Sequence, residues 1–399
     1  MTTNFSELGL EPPLLRAIEA LGHAHPTPIQ AAAIPVACSG RDVLGLAQTG
    51  TGKTASFALP LLQRLMHSAS ELAPRALVLA PTRELASQID DHIRALGKFI
   101  RLRSRVITGG VGIHGQIGAM RHGTDILVAT PGRLLDHLQR GTIDLGAIEI
   151  LVLDEADRML DMGFIRDIKK IVAQVPQKRQ TLLFSATLSP TIEALTQQIM
   201  RQPQRIAVAS PSTTPQKIEQ FLYPTGSRDK RQLLLKLLSH HDISQAIVFT
   251  RTKWDANKVS IYLEQNGHQA GALHGNKSQS QRRQTLDRFK DGKLRLLVAT
   301  DIASRGIDAR VSHVINFSIP NVAEDYIHRI GRTGRAEREG VALSLMSDAE
   351  APLMRDIERL MGHSVSRFSI EGEALPPEAA RPARSAAAPR RSARYGQRR

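Results

Sequence analysis

Val43-Leu-Gly-Leu46 runs directly into Ala47-Gln48-Thr49-Gly50-Thr51-Gly52-Lys53-Thr54, and a helix-length stretch follows. A short apolar run, a Gly-rich turn and a helix make a phosphate loop. Gly50 and Gly52 let backbone N–H groups wrap a phosphate. Lys53 brings a positive charge to the β- and γ-phosphates, and Thr54 offers a hydroxyl to Mg²⁺. Ala47 stands where this pattern usually opens on glycine. In open α/β sheets ligands bind beyond the carboxyl ends of strands, which is where this loop falls.

The same run–turn–helix pattern recurs outward from the loop. In the first half the further runs are Ala76–Leu79, Ile126–Val128, Glu149–Leu153 and Thr181–Phe184. In the second half they are Ala246–Phe249, Leu294–Val298 and Val314–Phe317. Apolar runs that alternate with helices predict parallel sheets buried on both faces, hence α/β domains. Residues 209–216 (ASPSTTPQ) read as an extended linker between two such domains. The expected division is a first domain over 1–208, a linker over 209–216, a second domain over 217–366 and a disordered tail over 367–399.

Composition narrows the function classes. The chain has 399 residues and a formal net charge of +15. Residues 1–207 and 208–380 each carry only +4, whereas 381–399 hold seven Arg and no acid. Such a charge predicts a polyanionic partner, nucleic acid before membrane, and the tail reads as a sequence-blind tether for it. Only 4% of residues are aromatic, which argues against a broad base-stacking platform. A single cysteine, Cys38, makes no internal disulfide and no Cys-based zinc cluster. No apolar run approaches the ~18 residues of a membrane span, and the N-terminus lacks a secretory pattern. The expectation is a soluble protein of a reducing compartment, the cytoplasm.

The run Glu149–Leu153 ends in Asp154-Glu155-Ala156-Asp157. A carboxylate at a strand end suits Mg²⁺, and the next one can orient or deprotonate an attacking water. With Pro81-Thr-Arg-Glu-Leu-Ala86, Thr130-Pro-Gly-Arg133, Ser185-Ala-Thr187, Ala299-Thr-Asp301…Arg305-Gly-Ile-Asp308 and His328-Arg-Ile-Gly-Arg-Thr-Gly-Arg335, the order of motifs resembles that of DEAD-box RNA helicases. The resemblance covers about residues 4–365. The stretches Arg158–Phe164, His274–Ser278 and Pro320–Tyr326 look most like the bacterial RhlE branch.

That resemblance implies two RecA-like domains with ATP at their interface and RNA across both. The residues it marks at the nucleotide are Gln48, Thr49, Thr51, Lys53 and Thr54 in the loop, with Asp154 reaching Mg²⁺ through water and Glu155 positioning the nucleophile. It implies arginine fingers at Arg332 and Arg335, a ribose contact at Asp308, and coupling through Asp157, Ser185, Thr187 and His328. The segment over 3–31 is similar to the family's adenine-reading element, with Gln30 suited to both donate to and accept from the base. His23 replaces the usual Phe or Tyr, so stacking on adenine should be less extensive. Implied RNA-backbone positions are Arg83, Gly110, Thr130 and Arg133 in the first domain, and Arg251, Gly275, Gln279, Arg282 and Thr300 in the second. Glycine amides, small hydroxyls and arginines suit phosphates and sugars, so little sequence preference is expected.

Other residues read as structural. Met159, Met162 and Phe164 have helical spacing and are expected in a core, Cys38 is expected to be inert, and Trp254 is expected to pack. The expected activity is ATP-dependent RNA duplex separation or RNP remodelling. Two other classes compete with it, an ATP-gated RNA clamp or scaffold and a DNA-directed motor on the same domain pair.

Overall fold

The computed structural model describes residues 4–48, 50–67, 73–208, 218–226, 229–304, 311–334, 340–369 and 374–375. The first half contributes β1 (Val43–Leu46), β2 (Ala76–Leu79), β3 (Ser104–Ile107), β4 (Ile126–Ala129), β5 (Ile150–Leu153), β6 (Gln180–Ser185) and β7 (Gln204–Ala207). They form one parallel sheet in the order β3-β4-β2-β5-β6-β1-β7. Successive side chains of a strand point to opposite faces. Accordingly Val43, Val78, Val128 and Val152 enter one core, while Leu44, Leu79, Leu127 and Leu151 enter the other. Helices cover both faces, which is why the runs are continuously apolar rather than alternating.

The second half contributes β8 (Ile218–Pro224), β9 (Ala246–Thr250), β10 (Ala270–Leu273), β11 (Leu296–Thr300), β12 (His313–Asn316), β13 (Gly340–Met346), β14 (Ser366–Phe368) and β15 (Ala374–Leu375). Their order is β10-β11-β9-β12-β13-β8-β14-β15, and only β15 runs antiparallel to its neighbour. The expectation of two parallel-sheet α/β domains in tandem holds.

The C-terminal boundary needs correction. Disorder was expected from 367, yet Arg367 pairs with Leu222 and Leu375, and Phe368 packs its ring 5.2 Å from that of Phe221. Ser366–Phe368 and Ala374–Leu375 therefore each add a strand to the sheet. The linker 209–216 and the Arg-rich segment 381–399 lie outside the described residues, as do Thr49, Asp308 and Arg335.

Strand ends are where the helices begin, and Ser or Thr side chains cap several of them. The Thr82 hydroxyl accepts from the Leu85 N–H (3.2 Å), Thr252 from Asp255 (3.1 Å) and Ser278 from Gln281 (3.2 Å). Each such cap satisfies a helix N–H that would otherwise lack a partner. It also fixes the turns beside Arg83, Arg251 and Gln279.

Candidate functional site

In each half the polar residues at the strand ends divide into two groups. In the first sheet, the ends of β1, β5 and β6 carry residues 47–54, 154–157 and 185–187. The ends of β2, β3 and β4 carry Arg83, Gly110 and Thr130 on the other side. The second sheet repeats this division. Arg251, Gly275 and Thr300 follow β9, β10 and β11, whereas Asp325, His328 and Arg332 lie beyond β12.

The first group surrounds a cradle for an anion. Gly50 and Gly52 take φ of +89° and +91°, which a side chain would strain. A Cβ on Gly52 would also collide with the Gln30 side chain. Gln30 is engaged with the loop itself. Its Oε1 accepts from the Thr27 N–H (2.9 Å) and its Nε2 donates to the Gly52 carbonyl (3.1 Å). An amide has two protons and two lone pairs, so one of each remains for a base edge. Lys53 is 6% exposed, and its Nζ has no hydrogen-bond partner among the described residues. A buried ammonium without a partner is costly, and a phosphate would satisfy it. Ala47 is buried, Gln48 is half-buried, and Thr51 donates to the Gln48 carbonyl (2.7 Å), closing the turn. His23 is exposed.

Asp154 sits 2% exposed at the end of β5, and the Glu155 N–H donates to its Oδ1 (3.0 Å). Burial pushes its carboxyl up to about 6, with Lys53 pulling the other way and Glu155 and Asp157 adding to the rise. The folded protein thus holds this proton more tightly than the unfolded chain, whose value is near 3.8. Asp154 therefore favours the fold at low pH and costs stability as pH rises from about 4 to 6. Two pKa units correspond to about 3 kcal/mol. Asp154→Asn, with nucleotide absent and divalent ions chelated, should melt higher than the parent at pH 7.5 and lose that advantage near pH 4. A gap that does not change with pH would contradict this account.

Glu155 caps the helix Ala156–Asp161 with φ +51°, one of two described non-glycine residues at positive φ. Such backbone is typically held in place at functional sites. Beyond it, Asp157 gathers the strand-end residues of β6. Its Oδ2 accepts from the Ala186 N–H (2.9 Å), the Thr187 N–H (3.0 Å) and the Thr187 hydroxyl (3.2 Å). Ser185 donates to the Thr187 carbonyl (2.8 Å).

Here the two halves meet. Arg158 donates to Asp325 (2.7 Å), with the two side chains 9% and 17% exposed. A small pocket beside this pair is lined by Arg158, Asp325, His328 and Arg332, with Phe249, Asp301 and Arg329 behind. Burial, with Arg158 and Arg332 adding to it, pushes His328 down to about 4, so its imidazole is neutral. Asp157 and Asp325 pull the other way. The sequence reading missed Arg158 and Asp325. Both lie in stretches marked by resemblance, 158–164 and 320–326, but nothing local pairs them.

The second group also spans both halves. The Arg83 guanidinium lies against Gly109 and Gly110, and a side chain on Gly110 would clash with it. Arg133 donates to the Val111 carbonyl (2.9 Å) and to Gln116 (3.2 Å), bracing the glycine turn. Thr130 is buried before the helix Pro131–Gln139. Opposite, Arg282 pairs with Glu84 of the first half (2.9 Å), both nearly buried, and Gln279 donates to the same carboxylate (3.3 Å). Arg282 and Gln279 thus clasp the two halves together in this arrangement. Arg251 pairs with Glu350 (3.1 Å) and remains 41% exposed. Gly275 is exposed, and Thr300 is half-buried.

Of the residues read as structural, Met159 is fully buried and Phe164 packs against the same core. Burial pushes the Cys38 thiol up to about 11, which leaves it unreactive. Trp254 is a correction. It is 70% exposed, because the helix Lys253–Gln265 seats itself with Ala256, Val259 and Leu263 instead. Among the described residues, no group of His, Cys, Asp or Glu could hold a metal as a cluster, and no helix is long and apolar enough to cross a membrane.

The DEAD/DEAH box helicase family profile matches residues 27–195, and the helicase conserved C-terminal domain profile matches 229–337. The chain is 48% identical over 375 residues to the ATP-dependent RNA helicase DeaD of Escherichia coli K12, covering 94% of this chain and 59% of that protein. It is 44% identical over 367 residues to the DEAD-box ATP-dependent RNA helicase CshA of Bacillus cereus, covering 92% and 70%. Among solved structures it is similar to S. cerevisiae Dbp5 bound to RNA and ADP BeF3, with 32% identity, a TM-score of 0.82, and 92% and 96% of the two chains covered. Neither bacterial relative carries the RhlE name.

Proposed function

Because this chain belongs to the DEAD/DEAH box helicase family, we propose that it couples ATP hydrolysis to local separation of RNA duplexes or remodelling of RNA–protein complexes. The observation that carries this reading is the split site. The phosphate loop, Asp154 and Glu155 belong to one half, and Arg332 of the other half lines a pocket with Arg158, three residues beyond Glu155. Hydrolysis then depends on the two halves being closed on one another. The second cross-half clasp, Glu84 with Arg282 and Gln279, lies among the candidate RNA positions, so RNA and ATP favour the same closed arrangement.

The unpartnered Lys53 ammonium and the Gly50–Gly52 turn take the phosphates, and the free proton and lone pair of Gln30 read adenine. Asp308 at the ribose and Arg335 beside Arg332 complete the set by family resemblance. The Thr54 hydroxyl and the Asp154 carboxylate would hold Mg²⁺, an oxygen-only donor set of the kind this ion takes with phosphates. Bound there, Mg²⁺ supplies positive charge to the phosphates. Glu155 accepts a proton from the attacking water, and neutral His328 with Asp157 links the seam to the Ser185–Thr187 turn. Arg83, Gly110, Thr130 and Arg133, with Arg251, Gly275, Gln279, Arg282 and Thr300, follow the RNA backbone and read little sequence.

ATPase rates with RNA, with DNA and with neither, beside unwinding of a short RNA duplex, test the reading. RNA should stimulate hydrolysis, and DNA should do so weakly. Hydrolysis indifferent to RNA would sink the coupling. Stimulation by DNA alone would make the chain a DNA-directed motor, and RNA retention without unwinding would make it a clamp.

A further inference from the structure

The chain has one tryptophan, and it is the most exposed of the large apolar side chains described, at 70%. Trp254 opens the helix Lys253–Gln265, whose inward face is already filled by Ala256, Val259, Ser260 and Leu263. Ile261, also more than half exposed, stands seven residues on, two helical turns along the same outward face. Single exposed apolar residues are ordinary, but an unburied Trp with an Ile in line behind it is an unpartnered surface.

Its surroundings favour a polyanion. Lys253 and Lys258, one residue before and four after, are both exposed. The nearest acid, Asp255, is turned back to the helix start, where its carboxylate accepts from the Thr252 hydroxyl (2.7 Å). The first turn is also tied to the end of β10. Lys253 Nζ donates to Asn276 (3.1 Å), and the His274 ring bonds Asn257 (2.9 Å). The helix turn that carries Trp254 is therefore tied to the loop that carries Gly275, and Arg251 stands three residues before it in the chain.

We propose that Trp254 stacks on a nucleobase of single-stranded RNA where the strand leaves the second domain, with Lys253 and Lys258 flanking its phosphates. The proposal rests on the RNA-binding reading above. It adds a base contact to a track otherwise made of backbone contacts. Every base has a π-face, so the contact strengthens binding without sequence preference.

The lone indole is its own probe. Titrating the full chain, with a non-hydrolysable ATP analogue present, with single-stranded RNA should quench and shift its emission. A length-matched oligonucleotide with abasic sites should leave the emission nearly unchanged. Trp254→Ala should weaken binding of ordinary RNA by about fivefold or more. The same variant should bind abasic RNA as the parent does, whereas a folding defect would weaken both. Emission that RNA does not move would overturn the proposal and leave this face to a protein partner. Equal quenching by abasic RNA would also overturn it, reducing the site to phosphate contacts of the two lysines. RNA-stimulated ATPase of the unsubstituted chain, measured alongside, separates the two levels. Stimulation without an emission change removes the stack alone, and absence of stimulation removes the RNA reading beneath it.

Discussion

Glu155→Gln is expected to lower RNA-stimulated ATP turnover by about 10²–10⁴, the usual worth of a positioned general base. ATP and RNA binding should survive. Glutamine matches the size of the buried side chain but carries no charge and cannot take a proton from water. The hydrogen bond that holds Asp154 comes from the Glu155 backbone N–H, so the substitution leaves it in place. The backbone at φ +51° is imposed by the turn into the helix Ala156–Asp161 and is equally open to either residue. The variant should therefore stall closed, retaining RNA in the presence of ATP for longer than the parent. Single-turnover hydrolysis beside RNA retention on a filter measures both effects. Normal turnover would remove Glu155 from its role, and parallel loss of ATP binding would point to a disturbed fold.

The sequence made the nucleotide side more legible than the seam. β1, β5 and β6 are buried on both faces, so their runs are unbroken and the polar residues after them stand out. The edge strands β3 and β10 were missed for the opposite reason. Ser104-Arg-Val-Ile107 carries a charge on a half-open strand, and Ala270-Gly-Ala-Leu273 is too small to register as apolar. In β13 the obstacle is a buried hydroxyl. Ser344 interrupts the run because it accepts from the Asn316 side chain on the neighbouring strand (3.1 Å), a contact made only after folding. Glu84 shows the same limit. It lies inside a recognised motif, but its partner Gln279 is 195 residues away, and no local pattern announces a pair made across two domains. Trp254 was misjudged because an apolar side chain is expected inside, whereas here smaller residues on the same helix had already filled that face.

Arg332→Ala should lower hydrolysis by about 10³ or more, the range for a finger that meets transition-state charge. ATP affinity should change far less, because the contact is made mainly as charge spreads over the transferred phosphoryl group. Arg329, one turn earlier, supplies the contrast. Its guanidinium is fully committed within the second half, to Asp301 (2.5 and 2.7 Å), Asn316 (3.1 Å) and the Ser318 carbonyl (2.6 Å), and it lies 5.0 Å over the Phe249 ring. Arg329 is buried while Asp301 is a quarter exposed, so removing the guanidinium costs at most about 3–5 kcal/mol of stability. Arg329→Ala should therefore melt earlier and lose activity in step with folded protein. Arg332→Ala should lose turnover at saturating ATP and RNA far beyond any loss of folded protein. Thermal melts paired with single-turnover rates separate the two arginines. An Arg332 variant that loses ATP binding as much as turnover would instead make Arg332 a ground-state ligand, and the seam would then serve to assemble the two halves rather than to stabilise the reacting phosphate.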